Sequence, residues 1–374
     1  MKLEWLDEAI AKTEEKIRKT ALRVGDKLIY TTTNDGKYVE YKKDDVEWWT
    51  NGFWPGILWL LYRDSKDENV RAIAESAGRK MDKVLYGDYA RSDHDGGFRW
   101  KLSAVAEYSI TGNDDSRKRG LHAAALLASR FCGNGEYIRA WSSVNKLGDA
   151  IVDTMMNLPL LYWASEVLKD PRFTWIANKH ADTVINNFMH PDGSVRHIVK
   201  FSAETGAVIG YPANHGGYST ESAWSRGTAW ALYGFALSYK FTGDRKYYDV
   251  AKRVANFFIA ALPDDYVPFA DFKAPAEENI HKDTSAAACG ASGLLLLAEL
   301  ADEYEKDIYR RAGEKIVHSL YMNYTDWTGE NEAIILHTYY CYHATPDKPQ
   351  TFIYADYFFY EALKRLDGKA GLFE

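Results

Sequence analysis

A chain of 374 residues, 46% hydrophobic and 26% charged, has the make-up of a folded protein with a large buried core, which excludes disorder as its dominant state. A formal net charge of -7 with no basic patch excludes a nucleic-acid surface, because phosphates are neutralised by clustered lysine and arginine. The longest apolar run, around "CGASGLLLLAELA" (289–301), is too short to span a bilayer, and the charged start "MKLEWLDEAIAKTEEKIRK" has no apolar h-region, so a cytoplasmic protein without membrane contact is expected.

Helical periodicity predicts helices over 2–23, 52–63, 67–84, 99–111, 114–131, 148–168, 171–188, 224–241, 244–261, 284–303, 306–322 and 354–366. Short acidic or glycine turns recur between them: "RDSKDENVRAIA", "TGNDDSRKRG", "LKDPRFTWIA", "FTGDRKYYDVA" and "EYEKDIYRRAG". Each ends one helix and caps the next, as stacked helical hairpins do. Closing the last hairpin on the first gives an all-α toroid of six hairpins, an (α/α)6 barrel, whose inner helices line a funnel. A linear helical array is the rival, but its repeats are usually more regular. No linker rich in Pro, Gly or Ser divides the chain, so 1–374 is expected to form a single domain. The long loops, at about 85–98, 132–147, 189–223, 262–283 and 323–353, gather at one mouth and hold many of the histidines, glycines and prolines.

Twelve Trp and 26 Tyr exceed what a core needs and suggest platforms on which sugar rings stack. Three scattered cysteines, Cys132, Cys289 and Cys341, make neither a disulfide framework nor a zinc knuckle and are expected as buried free thiols. No HExxH, Cys/His spacing or calcium loop is present, so neither metal nor cofactor is expected.

Candidate chemistry begins in "VEWWTNGFWPGILWLLY" (46–62), where Trp49 precedes a helix and is placed to face a cavity. In "RSDHDGGFRW", His94 and Asp95 adjoin Gly96 and Gly97, which permit close backbone approach to a ligand; as a bare motif it also fits an ordinary polar loop. In "GDAIVDTMMNLPLLYWASEVL" (148–168), Asp149 and Asp153 fall on one face of the predicted helix, with Pro159 inside it. Asp149 reads as a cap. Asp153 lies among apolar residues, where a carboxyl has a raised pKa suited to a general acid, or else satisfies a buried donor. In "GYPANHGGYSTESAWSRGTAWALYGFAL" (210–237), Arg226 and Trp230 share a helical face near its N-terminus, which suits a carboxylate and a stacked ring; a surface salt bridge is the alternative for Arg226. His197 and His337 are singletons with no chemistry of their own, and "HKDTSAAACG" reads as a helix cap at Asp283 or Thr284.

Taken together, "WTNGFWPGILWL", "HDGGF", Ala140-Trp141, "VDTMMNLPLLYWA", "STESAWSRGTAWALYGFAL", "KDTSAAACGASGLL" and "ADYFFYEALKRL" resemble the unsaturated glucuronyl hydrolases, glycoside hydrolase family 88, in family order over nearly the whole chain. The resemblance implies the six-hairpin toroid and a lyase-generated oligosaccharide, glycosaminoglycan in type, ending in a Δ4,5-unsaturated uronic acid. Its chemistry would be hydration of the C4=C5 vinyl ether: a proton to C4, water to C5, then opening of the hemiketal and loss of the glycosidic bond. Asp153 matches the family's acid/base. Asp95 matches its second essential aspartate, which holds substrate hydroxyls and tunes Asp153 by like-charge repulsion. Trp49, His94, Trp141, His197, Arg226 and Trp230 fall on substrate-contacting positions. Where some members carry glutamine this sequence has "ANHGG", and His215 takes that place; Lys348, in "HATPDKPQTF", is set to meet a sulfate on the leaving sugar. The related unsaturated rhamnogalacturonyl hydrolases, a polysaccharide lyase on a similar toroid, and a carbohydrate-binding protein are the alternative functions.

Overall fold

The computed structural model describes residues 3–41, 45–212, 216–343 and 350–374. Among the described residues the long helices, in chain order, are α1 (Glu4–Val24), α2 (Phe53–Ser65) and α3 (Glu68–Lys80). Three consecutive pieces, Gly96–Trp100, the π-helical Lys101–Val105 and Ala106–Thr111, then run on as one rod, α4. After it come α5 (Asp114–Ala128), α6 (Pro159–Leu168), α7 (Arg172–Asn187), α8 (Ser225–Thr242), α9 (Arg245–Ala260), α10 (Thr284–Leu300), α11 (Lys306–Asn323) and α12 (Ile353–Leu366).

Burial sorts these helices into two rings. Helices α2, α8, α10 and α12 and the rod α4 are buried on nearly every face, as is α6 over Pro159–Ser165, whereas α1, α3, α7, α9 and α11 bury a single stripe and expose the rest. A helix apolar all round belongs inside and an amphipathic one outside. The inner helices neighbour one another in the order α2, α4, α6, α8, α10, α12 and back to α2, which closes the (α/α)6 barrel. Close approach in the inner ring needs missing side chains. A Cβ on Gly234 of α8 would lie 2.5 Å from the Met155 Cβ, and one on Gly293 of α10 would lie 3.0 Å from the Tyr233 Cα.

The predicted helices stand where periodicity put them; Asp67, Asn113 and Asp244 accept N-cap hydrogen bonds as three of the recurring turns suggested, and Asp283 does so as "HKDTSAAACG" suggested. Helices α7 and α11, by contrast, follow Pro171 and Glu305 with no side-chain cap. The exception is 148–168. Asp149–Ile151 is a strand, β1, that pairs antiparallel with β2 (Ile198–Phe201), itself paired with β3 (Val208–Gly210). Val152–Met156 is a 3-10 turn, and α6 begins only at Pro159, which occupies the first helical turn where its missing N–H costs nothing. Asp149 and Asp153 therefore do not share a helix face, Asp149 caps nothing, and Pro159 makes no kink.

Candidate active site

Loops between the inner helices enclose a cavity of about 480 Å3, within the range of small-molecule sites. Its walls include Trp49, His94, Asp95, Trp141, Asp153, His197 and Arg226, so the sequence candidates converge on one place.

The two candidate carboxylates arrive by different routes. Asp153 stands in the 3-10 turn that leaves β1, and His197 directly precedes β2. The pairing of Ile151 with Ile198 and the bond from the Val152 N–H to the His197 carbonyl (3.0 Å) bring both to the same end of the ladder. His197 Nε2 then lies 3.3 Å from Asp153 Oδ2. Asp95 sits at the start of α4, and His94 Nε2 lies 3.3 Å from its Oδ1. The His94 Nδ1 is 3.1 Å from the Ala140 carbonyl, which can only accept, so Nδ1 carries the hydrogen and Nε2 faces Asp95. Buried Arg130 braces that wall by donating to the Ser92, Arg139 and Ala140 carbonyls. Asn157 ties the carboxylates together: its Nδ2 donates to Asp95 Oδ1 (3.3 Å) and to the Asp153 carbonyl (3.1 Å), while its Oδ1 accepts from the Phe98 N–H (2.8 Å).

The proton affinities of the two carboxylates are the reverse of the sequence expectation. Burial, reinforced by the Asp93 and Asp153 charges and opposed by His94 and Arg99, pushes Asp95 up to about 7. Burial also acts to raise Asp153, but the His197 hydrogen bond and the His197, His94 and Arg226 charges outweigh it and hold Asp153 below the ordinary aspartate value. Apolar neighbours in sequence gave no sign of these partners. Of the two side chains Asp153 is the more open, 17% exposed against 10% for Asp95.

The remaining candidates divide. Trp49 lines the cavity with its ring 4.9 Å from that of Tyr354, and Trp141 lines it edge-on to His94. Arg226 lines it too, but is a buried structural cation, not a surface salt bridge or an open carboxylate site. Its Nη1 donates to Asp283 Oδ2 (2.9 Å), Ser285 Oγ and the Tyr339 carbonyl, and its Nη2 to the Tyr340 carbonyl. Asp283, read as a cap, both caps α10 and pairs with Arg226. Trp230 is 1% exposed, packed between Phe98 and Phe358, and is absent from the cavity wall; Trp224, six residues earlier at the helix N-cap, takes that place with its ring 4.4 Å from His197. Gly97 leaves room for Asn157, whose Cα would lie 2.4 Å from an added Cβ, and Gly96 faces Leu127 and Leu160, so neither glycine clears space for a sugar. His215 and Lys348 lie outside the described residues.

Sequence reasoning also passed over Asp45, Glu47, Asp93, Lys146, Tyr340 and Cys341 on the cavity wall, and Asn157 behind it. Only Asp93, one residue before His94, carried a usable signal. Among the described residues, no group of three or more His, Cys, Asp or Glu side chains is arranged to hold a metal ion. None of the described helices is long and apolar enough to cross a membrane.

No family model matches the chain. It is 34% identical over 356 residues to the unsaturated glucuronyl hydrolase of Bacillus sp. (strain GL1), covering 92% of each. The chain belongs to the unsaturated glucuronyl hydrolases. It is also 33% identical over 331 residues to the unsaturated chondroitin disaccharide hydrolase of Streptococcus pneumoniae (strain ATCC BAA-255 / R6), covering 86% of this chain and 82% of that one. The crystal structure of the Bacillus sp. GL1 unsaturated glucuronyl hydrolase, described as responsible for the degradation of glycosaminoglycan, superposes with a TM-score of 0.92 at 33% identity over 98% of both chains. This protein is accordingly a glycoside hydrolase.

Proposed function

We propose that the enzyme, acting as one catalytic domain, removes the Δ4,5-unsaturated uronic acid from the non-reducing end of glycosaminoglycan fragments by hydrating its C4=C5 vinyl ether. The observation that carries this reading is the pair of imidazole-held carboxylates in one cavity, Asp95–His94 and Asp153–His197, with proton affinities pushed in opposite directions.

Protonating C4 puts positive charge on C5 and the ring oxygen; water adds at C5 and gives up a proton. The hemiketal opens to a C5 ketone, and the former acetal at C1 releases the shortened saccharide. One acid/base suffices, because the group that delivers a proton to C4 becomes the base that takes one from water. We assign that role to Asp153, the more open of the two. Its His197, His94 and Arg226 partners favour its ionised form. A uronate carboxylate entering this buried cavity adds another anion beside it, which raises its proton affinity, so substrate binding draws in the proton that C4 receives. Asp95, carrying a proton near neutral pH, is suited to hold sugar hydroxyls, and Trp49 and Trp141 to cover the ring faces. Among the described residues no disulfide joins half-buried Cys132 or buried Cys289 and Cys341, which suits a reducing, cytoplasmic compartment.

The test is a panel of unsaturated disaccharides from chondroitin, hyaluronan, heparin and pectin, followed by the ultraviolet absorbance of the conjugated double bond. Loss of absorbance with the glycosaminoglycan substrates is expected. Loss only with the pectin fragment assigns the rhamnogalacturonyl reaction, a gain on polymer assigns a lyase, and no change with any substrate refutes the hydrolase reading.

A further inference from the structure

The cavity wall is unevenly charged. Asp45, Glu47, Asp93, Asp95 and Asp153 face it, against only two lysine or arginine side chains among the described residues, Arg226 and Lys146. Glu47 is neutralised by Arg91 and Asp93 by Arg99. Arg226 is committed to Asp283 and to the Tyr339 and Tyr340 carbonyls. Lys146 differs: among the described residues it forms no ion pair with a carboxylate, and its ammonium rests 4.4 Å from the centre of the Trp141 ring.

Its place along the wall is informative. His94 (3% exposed) and Asp95 are deeply buried, Trp141 stands edge-on to His94 and is half-buried, Lys146 follows on Trp141, and Val144 beyond it is 88% exposed. That series runs from the carboxylates outward to solvent. If the uronate occupies the inner end, as proposed above, the sugar it is cut from lies outward over Trp141, with its substituents toward Lys146.

We propose that Lys146, seated on Trp141, is a specificity-determining cation that selects saccharides bearing a sulfate ester on the sugar next to the unsaturated uronate. The inference rests on the hydrolase reading. A sulfate brought to a cavity lined by carboxylates meets repulsion, which Lys146, in no ion pair with a carboxylate among the described residues, is placed to offset. The Trp141 face holds the ammonium at the wall, so little side-chain freedom is lost on binding.

The experiment compares kcat/KM of the parent enzyme, Lys146→Gln and Lys146→Arg on unsaturated chondroitin disaccharides that are unsulfated, 4-sulfated or 6-sulfated. For the better sulfated substrate, the ratio of sulfated to unsulfated kcat/KM should fall about tenfold in Lys146→Gln, the scale of one charge-assisted contact in a partly open site. Lys146→Arg should restore most of that ratio, and the parent's ratio should shrink as salt is raised. An unchanged ratio in Lys146→Gln overturns the subsite and leaves the hydrolase reading intact. An equal loss on all substrates also overturns it, assigning Lys146 to the uronate itself. If the parent consumes none of the substrates, both readings fall.

Discussion

Replacing Asp95 with asparagine keeps the shape of the side chain and its hydrogen bonds but removes the ionisation. The structure pushes the Asp95 carboxyl from an ordinary 3.8 up to about 7, with burial the largest cause. A raised pKa means that between those values the folded protein holds a proton the unfolded chain has lost, so stability falls as pH rises through this window and levels off above it. At about 1.4 kcal/mol per unit the full cost of ionising Asp95 in place is roughly 4 kcal/mol, of which roughly 2–3 kcal/mol falls between about pH 5 and pH 8.5. Asp95→Asn escapes that cost. Melting curves of parent and variant at the two pH values should show a small difference at the acid value. At the alkaline value the variant should melt higher by about 3 °C. Groups remote from Asp95 titrate alike in both proteins and cancel, whereas His94, Asp93 and Asp153 interact with its charge. Turnover should fall by at least about tenfold, since Asp95 no longer tunes Asp153 and a contact to sugar hydroxyls is weakened. A variant equally destabilised at both pH values, or gaining stability only in acid, would refute the reasoning.

Gly97→Ala forces a Cβ to 2.4 Å from the Asn157 Cα and 2.7 Å from its carbonyl oxygen; a loss of about 1–3 kcal/mol in denaturant unfolding is expected, with a drop in kcat because Asn157 ties both carboxylates, and a variant unchanged in both would contradict the packing account. Trp230→Ala should cost about 3–5 kcal/mol of stability as a core truncation. Trp141→Ala should instead leave melting nearly unchanged and raise KM about tenfold; the reverse pattern would return Trp230 to the sugar-binding wall.

The helices were legible because each signal is local. The 3.6-residue period and the caps Asp67, Asn113, Asp244 and Asp283 lie within a few residues of the elements they define. The segment around Asp153 was not, because a three-residue strand followed by a 3-10 turn leaves no period of its own and its apolar residues fit a helix equally well. Pro159 was the available sign, and it fits a first helical turn better than an interior. The proton affinity of Asp153 depends on His197, delivered across a β ladder, and on Arg226, delivered from α8; sequence neighbours say nothing of either. Trp224 and Trp230 were indistinguishable for a related reason. An inner helix is buried on all sides, so periodicity shows neither which face meets the cavity nor which meets the next helix. Lys146 and Asn157 end short 3-10 turns, too brief to leave a period in the sequence.

The acid/base assignment of Asp153 is tested most directly by Asp153→Asn with the unsaturated disaccharide that the parent consumes best, following ultraviolet absorbance and released saccharide together, with binding measured by calorimetry. The account predicts that the parent loses absorbance in step with saccharide release, and that the variant does neither, with turnover down by about 10²–10⁴, while still binding the substrate. Release of saccharide without loss of absorbance by the parent, or turnover by Asp153→Asn within about tenfold of the parent, would contradict it.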